Sequence, residues 1–252
     1  MEFINLNLEN IDSQDICCAN SDKKGDICAA SKKAWLRERF HDGMIFKKLN
    51  VRGKVFIEYI PAENAWCPVT ADGYMFIDCF WVSGSFKGKG YASGLLNECI
   101  EDSEKQGKKG LVTLSSTKKV PFLSDPKFLK YKGFKLADKC EPYYELLYLP
   151  FAADGKAPEF KECVKAGSIS EAGWVLYYTN QCPYTEKYVP LIEAVAKENG
   201  VGFTAHKIIS KEQAQAAPAP FTTYSMFYNG RFVTNEILSE AKFLKFLEEK
   251  GL

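Results

Sequence analysis

Along the chain the spacing of apolar positions changes repeatedly, and each change marks an element. Ala29 to Phe40 has helical spacing, and Met44 to Leu49 and Val55 to Ile60 read as strands joined at a turn ending in Gly53. Tyr74 to Val82 (YMFIDCFWV) is almost unbroken in apolar residues, the pattern of a central strand covered on both faces. After a polar turn, Ala92, Leu95, Leu96, Cys99 and Ile100 recur at helical intervals, and Gly107 can end that helix. Leu111 to Ser115 reads as a further strand. Asp125-Pro126 supplies the N-cap and first residue of a short helix, and Tyr144 to Phe151 is again strand-like. Met1 to Asp12 alternates apolar and polar residues and has no basic leader segment, so it too reads as a strand.

Beyond residue 151 the pattern is interrupted and then restarts. Ala152 to Lys165 is polar, with Gly155 and Pro158, and reads as a linker or short helix. The division expected is a first domain over 1–151, a linker over 152–169 and a second domain over 170–252. Trp174 to Tyr178 is a buried-strand pattern. Cys182-Pro183-Tyr184-Thr185 then opens a helix running to Glu198, with Tyr188, Leu191, Ile192 and Val195 on its apolar face and Pro190 as a kink. Phe203 to Ile209 reads as a strand and Ala214 to Pro220 as a loop. Thr223 to Tyr228 and Arg231 to Thr234 flank Asn229-Gly230, a hairpin signal, and Ser239 caps a last helix.

Composition narrows the function classes. With 46% hydrophobic and 26% charged residues the chain has the make-up of a soluble globular protein. Thirty-three Lys and Arg against 32 Asp and Glu give a net charge of +1, which supplies no electrostatic reason for a nucleic-acid or membrane partner. No apolar run reaches the roughly 18 residues that span a bilayer. Nine cysteines without paired CxxC spacing point to reduced thiols in the cytoplasm, most of them buried. Cys17, Cys18 and Cys28 invite a metal reading, but vicinal cysteines chelate zinc poorly and neither His41 nor His206 lies at ligand spacing. Buried helix cysteines and no metal are expected. A homodimer is compatible with a domain pair of this size.

Candidate chemistry begins at Ser85-Phe86-Lys87-Gly88-Lys89-Gly90, between the central strand and the amphipathic helix. A helix N-terminus carries unpaired N–H groups and partial positive charge, so it can hold a pyrophosphate, and glycine lets the backbone come close. The loop resembles that of the GCN5-related N-acetyltransferase (GNAT) family, Gln/Arg-x-x-Gly-x-Gly/Ala. Both glycines match, and Ser85 stands at the leading position. Phe128 to Phe134, a short helix ending in Gly133-Phe134 before a strand, resembles a second feature of that family. The resemblance covers roughly residues 1 to 151. It implies acetyl-CoA as co-substrate, its pyrophosphate held by the backbone amides of Lys87, Gly88, Lys89, Gly90 and Tyr91. Its pantetheine arm would lie along the main chain of Phe80, Trp81 and Val82. The reaction implied is direct attack of an amine on the thioester, with a base and an acid to move protons.

For the acid, Leu129 occupies the position of the family's usual tyrosine. Tyr131 lies close by, with Tyr143 and Tyr144 as looser candidates. For the base, Glu58 and Asp78 are carboxylates within apolar strands, where burial raises a carboxyl pKa.

The second domain resembles the thioredoxin/glutaredoxin fold, with Cys-Pro-Tyr-Thr in place of Cys-Pro-Tyr-Cys and Pro190 eight residues after Cys182. The family's cis-proline position is open, with Pro218 and Pro220 near but Thr222 at the usual spacing from Gly230. A GNAT domain followed by such a domain also resembles bacterial proteins carrying a YoaP-like C-terminal domain. The fold class expected is α/β, a GNAT-like mixed sheet flanked by helices followed by a small thioredoxin-like domain. Cys182, at a helix N-terminus, is expected to have a stabilised thiolate. Two functions follow. One is an N-acetyltransferase acting on a small-molecule or peptide amine, with the second domain shaping the acceptor site. The other is a monothiol redox or soft-ligand-binding protein using Cys182, with a regulatory or degenerate acyl-CoA domain.

Overall fold

The computed structural model describes residues 2–16, 18–19, 26–152 and 156–252, and Cys17 lies outside them. The first part runs β1 (Phe3–Leu6), α1 (Ile27–His41), β2 (Ile45–Leu49), β3 (Val55–Pro61), β4 (Val69–Thr70), β5 (Met75–Val82), α2 (Tyr91–Lys105), β6 (Gly110–Ser116), α3 (Pro126–Tyr131), β7 (Lys135–Cys140) and β8 (Tyr144–Pro150). Then come β9 (Glu159–Phe160), α4 (Glu162–Lys165), β10 (Trp174–Tyr178), α5 (Thr185–Glu198), β11 (Phe203–Lys207), α6 (Lys211–Gln215), β12 (Tyr224–Tyr228), β13 (Arg231–Thr234) and α7 (Glu240–Glu249).

Seven strands form the first sheet in the order β1-β2-β3-β5-β6-β8-β7. Every pairing in it is antiparallel except β5 with β6, the two strands that α2 connects. One face of this sheet packs Met75, Ile77 and Leu147 against Leu95, Leu96 and Cys99 of α2, the residues its helical spacing singles out. The other face packs Phe46, Phe56 and Phe76 against Trp35 and Leu36 of α1. Asp125 caps α3 as expected, accepting from the amides of Lys127 and Phe128, with Pro126 at the first helical position.

The second sheet has the order β11-β10-β12-β13, parallel between β10 and β11 and antiparallel elsewhere. The Asn229-Gly230 turn joins β12 to β13, both residues with positive φ. Trp174, Val189, Ile192 and Phe243 form the core beneath this sheet. Pro190 lies inside α5, and Ser239 takes the N-cap position of α7 without a side-chain capping bond. Among the described residues the cis peptide is Glu141–Pro142, so the peptides before Pro218 and Pro220 are trans.

Two expectations are corrected. The stretch read as a linker or short helix does contain a short helix, α4, but as a linker it is in large part a clasp on the first domain: β9 pairs with β4, and Phe160 and Val164 are fully buried in the first domain's core. Short paired strands of this kind have too few residues for any periodicity to show. The Ala214 to Pro220 loop begins inside α6, and Ala214 and Ala217 enter that same core with Ile208. The two domains therefore share one packed interface. Among the described cysteines, Cys28, Cys67, Cys99 and Cys140 are buried, Cys18, Cys79 and Cys182 partly so, and Cys163 is exposed. Cys28 lies in α1 as expected, whereas Cys18 lies in a turn outside it. Among the described residues no helix is long and apolar enough to cross a membrane.

Candidate active site

The Gly-rich loop carries β5 into α2. Gly88 and Gly90 both adopt left-handed φ, 75° and 81°, which side-chain-bearing residues resist. A Cβ at either position would meet nothing within 4 Å, so the backbone here faces open space. Gly90 is the N-cap of α2 and provides no side-chain cap, which leaves the amides of the first turn without intrahelical partners. They border a cleft of about 700 Å³ walled by Phe80, Trp81 and Val82 on one side and Phe128, Leu129 and Tyr131 on the other. Lys87 and Lys119 line it, and Lys119 is an addition that the sequence motif did not mark. Its only signal was the Lys118-Lys119 pair in the loop after β6. One amide assignment is corrected: Lys87 N–H donates to Gly84 O at 3.2 Å, so it is spent within its own turn. Lys89 lies in the loop with its side chain exposed.

The cleft exists because β5 and β6 part. They pair only from Met75↔Leu111 to Ile77↔Thr113, and the Thr113 hydroxyl closes the fork by donating to Ile77 O at 2.9 Å. From there Leu114 to Ser116 continue against β8, while Phe80, Trp81 and Val82 continue against β3 with their other edge unpaired by β6. Such an edge can accept an extended amide-bearing ligand as an added strand. At the fork β5 carries a bulge: Glu58 faces Cys79 and Tyr59 faces Ile77, so Asp78 is the extra residue. A bulge re-aims side chains by breaking the period of two. Here it places Asp78 and Cys79 together on the face turned toward the second domain, lining one pocket with Phe76. Burial, reinforced by the Glu58 carboxylate, pushes the Asp78 carboxyl up to about 7 against the pull of Lys32 and Arg39.

The second domain closes this pocket. Gln181 Nε2 donates to Asp78 O at 3.4 Å, while Gln181 Oε1 accepts from the Thr223 hydroxyl at 3.0 Å. Lys32 Nζ donates to Gln181 O at 2.7 Å and to Glu58 Oε2 at 2.7 Å. Thr222 Oγ1 donates to Trp66 O, and Cys67 Sγ lies 3.3 Å from Pro220 O. The pocket touches the larger cleft at Phe80, Trp81, Leu123 and Ser124.

The residues singled out for chemistry are dispersed by this arrangement. Glu58 is 1% exposed and ion-paired with an equally buried Lys32. Burial raises its carboxyl and Lys32 draws it back, while Lys32 itself ends up raised, its burial outweighed by Glu58. A carboxylate locked in that pair holds the domains in place and does not line the pocket. Tyr131 lines the cleft but is 82% exposed, at its rim, where water competes for any proton it would donate. Leu129 is buried beneath it. Tyr143 donates to Asn235 of the second domain at 2.6 Å and Tyr144 is buried beside it, both outside the cleft's lining.

Cys182 is a correction of direction. Burial pushes its thiol up to about 11, outweighing the Tyr184 amide and the Lys32 charge that favour the thiolate. The hydroxyl of Thr185, where a resolving thiol would stand, lies 2.8 Å from each of Thr179 O and Cys182 O, and its single proton is held between them.

A mixed sheet that forks beside an uncapped, glycine-bounded helix N-terminus is a GNAT-type fold. Residues 16–122 match the Acetyltransferase (GNAT) family, and residues 203–245 match the YoaP-like family. Over 247 residues the chain is 42% identical to the "Uncharacterized N-acetyltransferase YoaP" of Bacillus subtilis (strain 168), covering 98% of each. The chain belongs to the GNAT N-acetyltransferases, in the branch that carries a YoaP-like C-terminal domain. Among solved structures it is similar to the GNAT N-acetyltransferase YhbS of Escherichia coli in complex with CoA (15% identity, 64% of this chain and 89% of that one, TM-score 0.41). It is also similar to a GNAT acetyltransferase of Brucella melitensis in complex with acetyl-CoA (14% identity, 61% and 90%, TM-score 0.38).

Proposed function

We propose that this N-acetyltransferase moves the acetyl group of acetyl-CoA onto the amine of a small molecule or peptide by direct attack, with Asp78 as the base. The observation that carries the reading is the fork. An uncapped helix N-terminus and an open strand edge lie on one side of it, and a half-buried carboxylate in a second pocket lies on the other. The amides of Gly88 to Tyr91, with Lys87 and Lys119, would hold the pyrophosphate, and the main chain of Phe80 to Val82 the pantetheine arm. The acceptor ammonium enters beside Asp78 and gives it a proton, and the free amine attacks the thioester carbonyl. A C–N bond forms and the C–S bond breaks. The second proton on the attacking nitrogen goes to the departing thiolate, giving coenzyme A.

A carboxyl with a pKa of about 7 is half ionised near neutrality, where a general base works best. The acid limb of kcat should therefore rise through an apparent pKa near 7. Asp78→Asn should remove that limb and lower kcat by about 10²- to 10⁴-fold. An unchanged pH–rate profile in that variant would take the base role away from Asp78. Isothermal titration with acetyl-CoA tests the donor side independently of any acceptor.

A further inference from the structure

We infer that the pocket between the domains selects a primary amine on a slim, uncharged, unbranched arm and rejects one whose amine-bearing carbon also bears a carboxylate. This rests on the fork being the acetyl-transfer site. The pocket's volume is about 30 Å³, and rings of Trp66, Phe76 and Phe221 line it. Room for one water takes about 10–15 Å³ on this measure, so only a narrow group passes.

Charge decides the rest. Asp78 is the one Asp, Glu, Lys, Arg or His in the lining. Among the described residues its carboxylate has no hydrogen-bond or ion-pair partner. Of the polar side chains in the lining, Gln181 is engaged with Thr223 and with Asp78 O, and Thr222 with Trp66 O. An incoming ammonium meets an unpaired carboxylate, which favours it. An α-carboxylate would enter beside Asp78 with no cation to meet it. Lys32 is committed to Glu58 and Gln181 O, and Arg39 lies over the faces of Trp35 and Trp66 with its Nε 2.9 Å from Asp42. Burying an unpaired carboxylate next to another is among the costliest arrangements available. An n-alkyl amine and the side-chain amine of lysine share the accepted chemistry.

The test uses the full chain with acetyl-CoA, reading coenzyme A release. Acceptors are n-butylamine, sec-butylamine, norvaline and an Nα-acetyl-lysine amide. The expected kcat/KM for n-butylamine exceeds that for norvaline by about 100-fold or more, and that for sec-butylamine by about 10-fold. A preference for the lysine amide over n-butylamine would place the same arm on a peptide, and the reverse would make it a free amine; either supports the inference. Phe221→Ala, which widens the pocket from a partly exposed position, should narrow the gap between the two butylamines by about 10-fold while leaving norvaline poor. Norvaline used as well as n-butylamine, or bound acetyl-CoA with no alkylamine turned over, would overturn the inference. Failure of acetyl-CoA to bind in titration would instead remove the acetyl-transfer reading beneath it.

Discussion

Two helices of this protein begin in the same local setting, a buried strand followed by a tight turn, and their N-termini have opposite fates. α2 begins after Gly88 and Gly90 with no side-chain cap and opens on the large cleft, flanked by Lys87 and Lys119. α5 begins after Cys182 and is packed against the first domain. Lys32 donates to the carbonyl of Gln181, Lys54 lies over the Tyr184 ring, and the turn is closed from Thr185 N to Cys182 O at 3.2 Å. The partial charge at the two termini is alike, and solvent access is not. At α2 the unpaired amides remain available to an anion. At α5 desolvation exceeds the helix field and keeps the thiol protonated.

Perturbing the two termini should therefore give unequal results. Gly90→Glu, which forces a side chain into a left-handed conformation and sets a carboxylate where phosphates would lie, should weaken acetyl-CoA binding by about 100-fold or more in titration. Lys32→Met should destabilise the protein by about 3–5 kcal/mol in denaturant unfolding, because Glu58 is left buried without a partner. Adding Glu58→Met should recover most of that loss. If the double variant is no more stable than the single one, the pair does more than neutralise itself. Lys119→Ala should raise the KM for acetyl-CoA by only about 2- to 5-fold, less at high salt, since its charge is exposed. Cys182→Ser should leave transfer within about twofold, and Cys182 should alkylate more slowly at pH 7 than exposed Cys163. Rapid alkylation of Cys182 would reopen the thiol reading of the second domain.

Asp78 adds a linked effect on stability. Its folded pKa is raised above the unfolded value, so the folded state holds more protons between about pH 4 and pH 7. Its contribution thus falls as pH rises through that window and is most unfavourable above it. Asp78→Asn should accordingly keep or raise Tm at pH 8 while it slows turnover.

Elements set by local rules were legible in the residues alone. β10, β13 and α3 occur over the expected spans or begin at the expected caps, because strand alternation, an Asn-Gly turn and an Asp-Pro start are local chemistry. The glycine-rich turn between β5 and α2 was legible for the same reason, apart from the Lys87 amide, whose partner lies three residues away in the same turn. The pocket at Asp78 was not. Its making depends on a bulge that shifts Asp78 by one position in register, and on Gln181 meeting a strand 103 residues earlier in the chain.

Glu58 and Asp78 show the limit most clearly. In sequence they are equivalent, single carboxylates within apolar strands. Their difference comes from Lys32, which reaches one of them from α1 and leaves the other unpaired. By itself the sequence determined the family, the strand–loop–helix that offers its amides, and the order of the second domain's elements, since each depends on neighbours along the chain. Only the tertiary structure decided which acid is unpaired, that burial raises the Cys182 thiol, and that the second domain completes the pocket. Those outcomes depend on desolvation and on charges brought together across the domain interface, and both are properties of the packed protein.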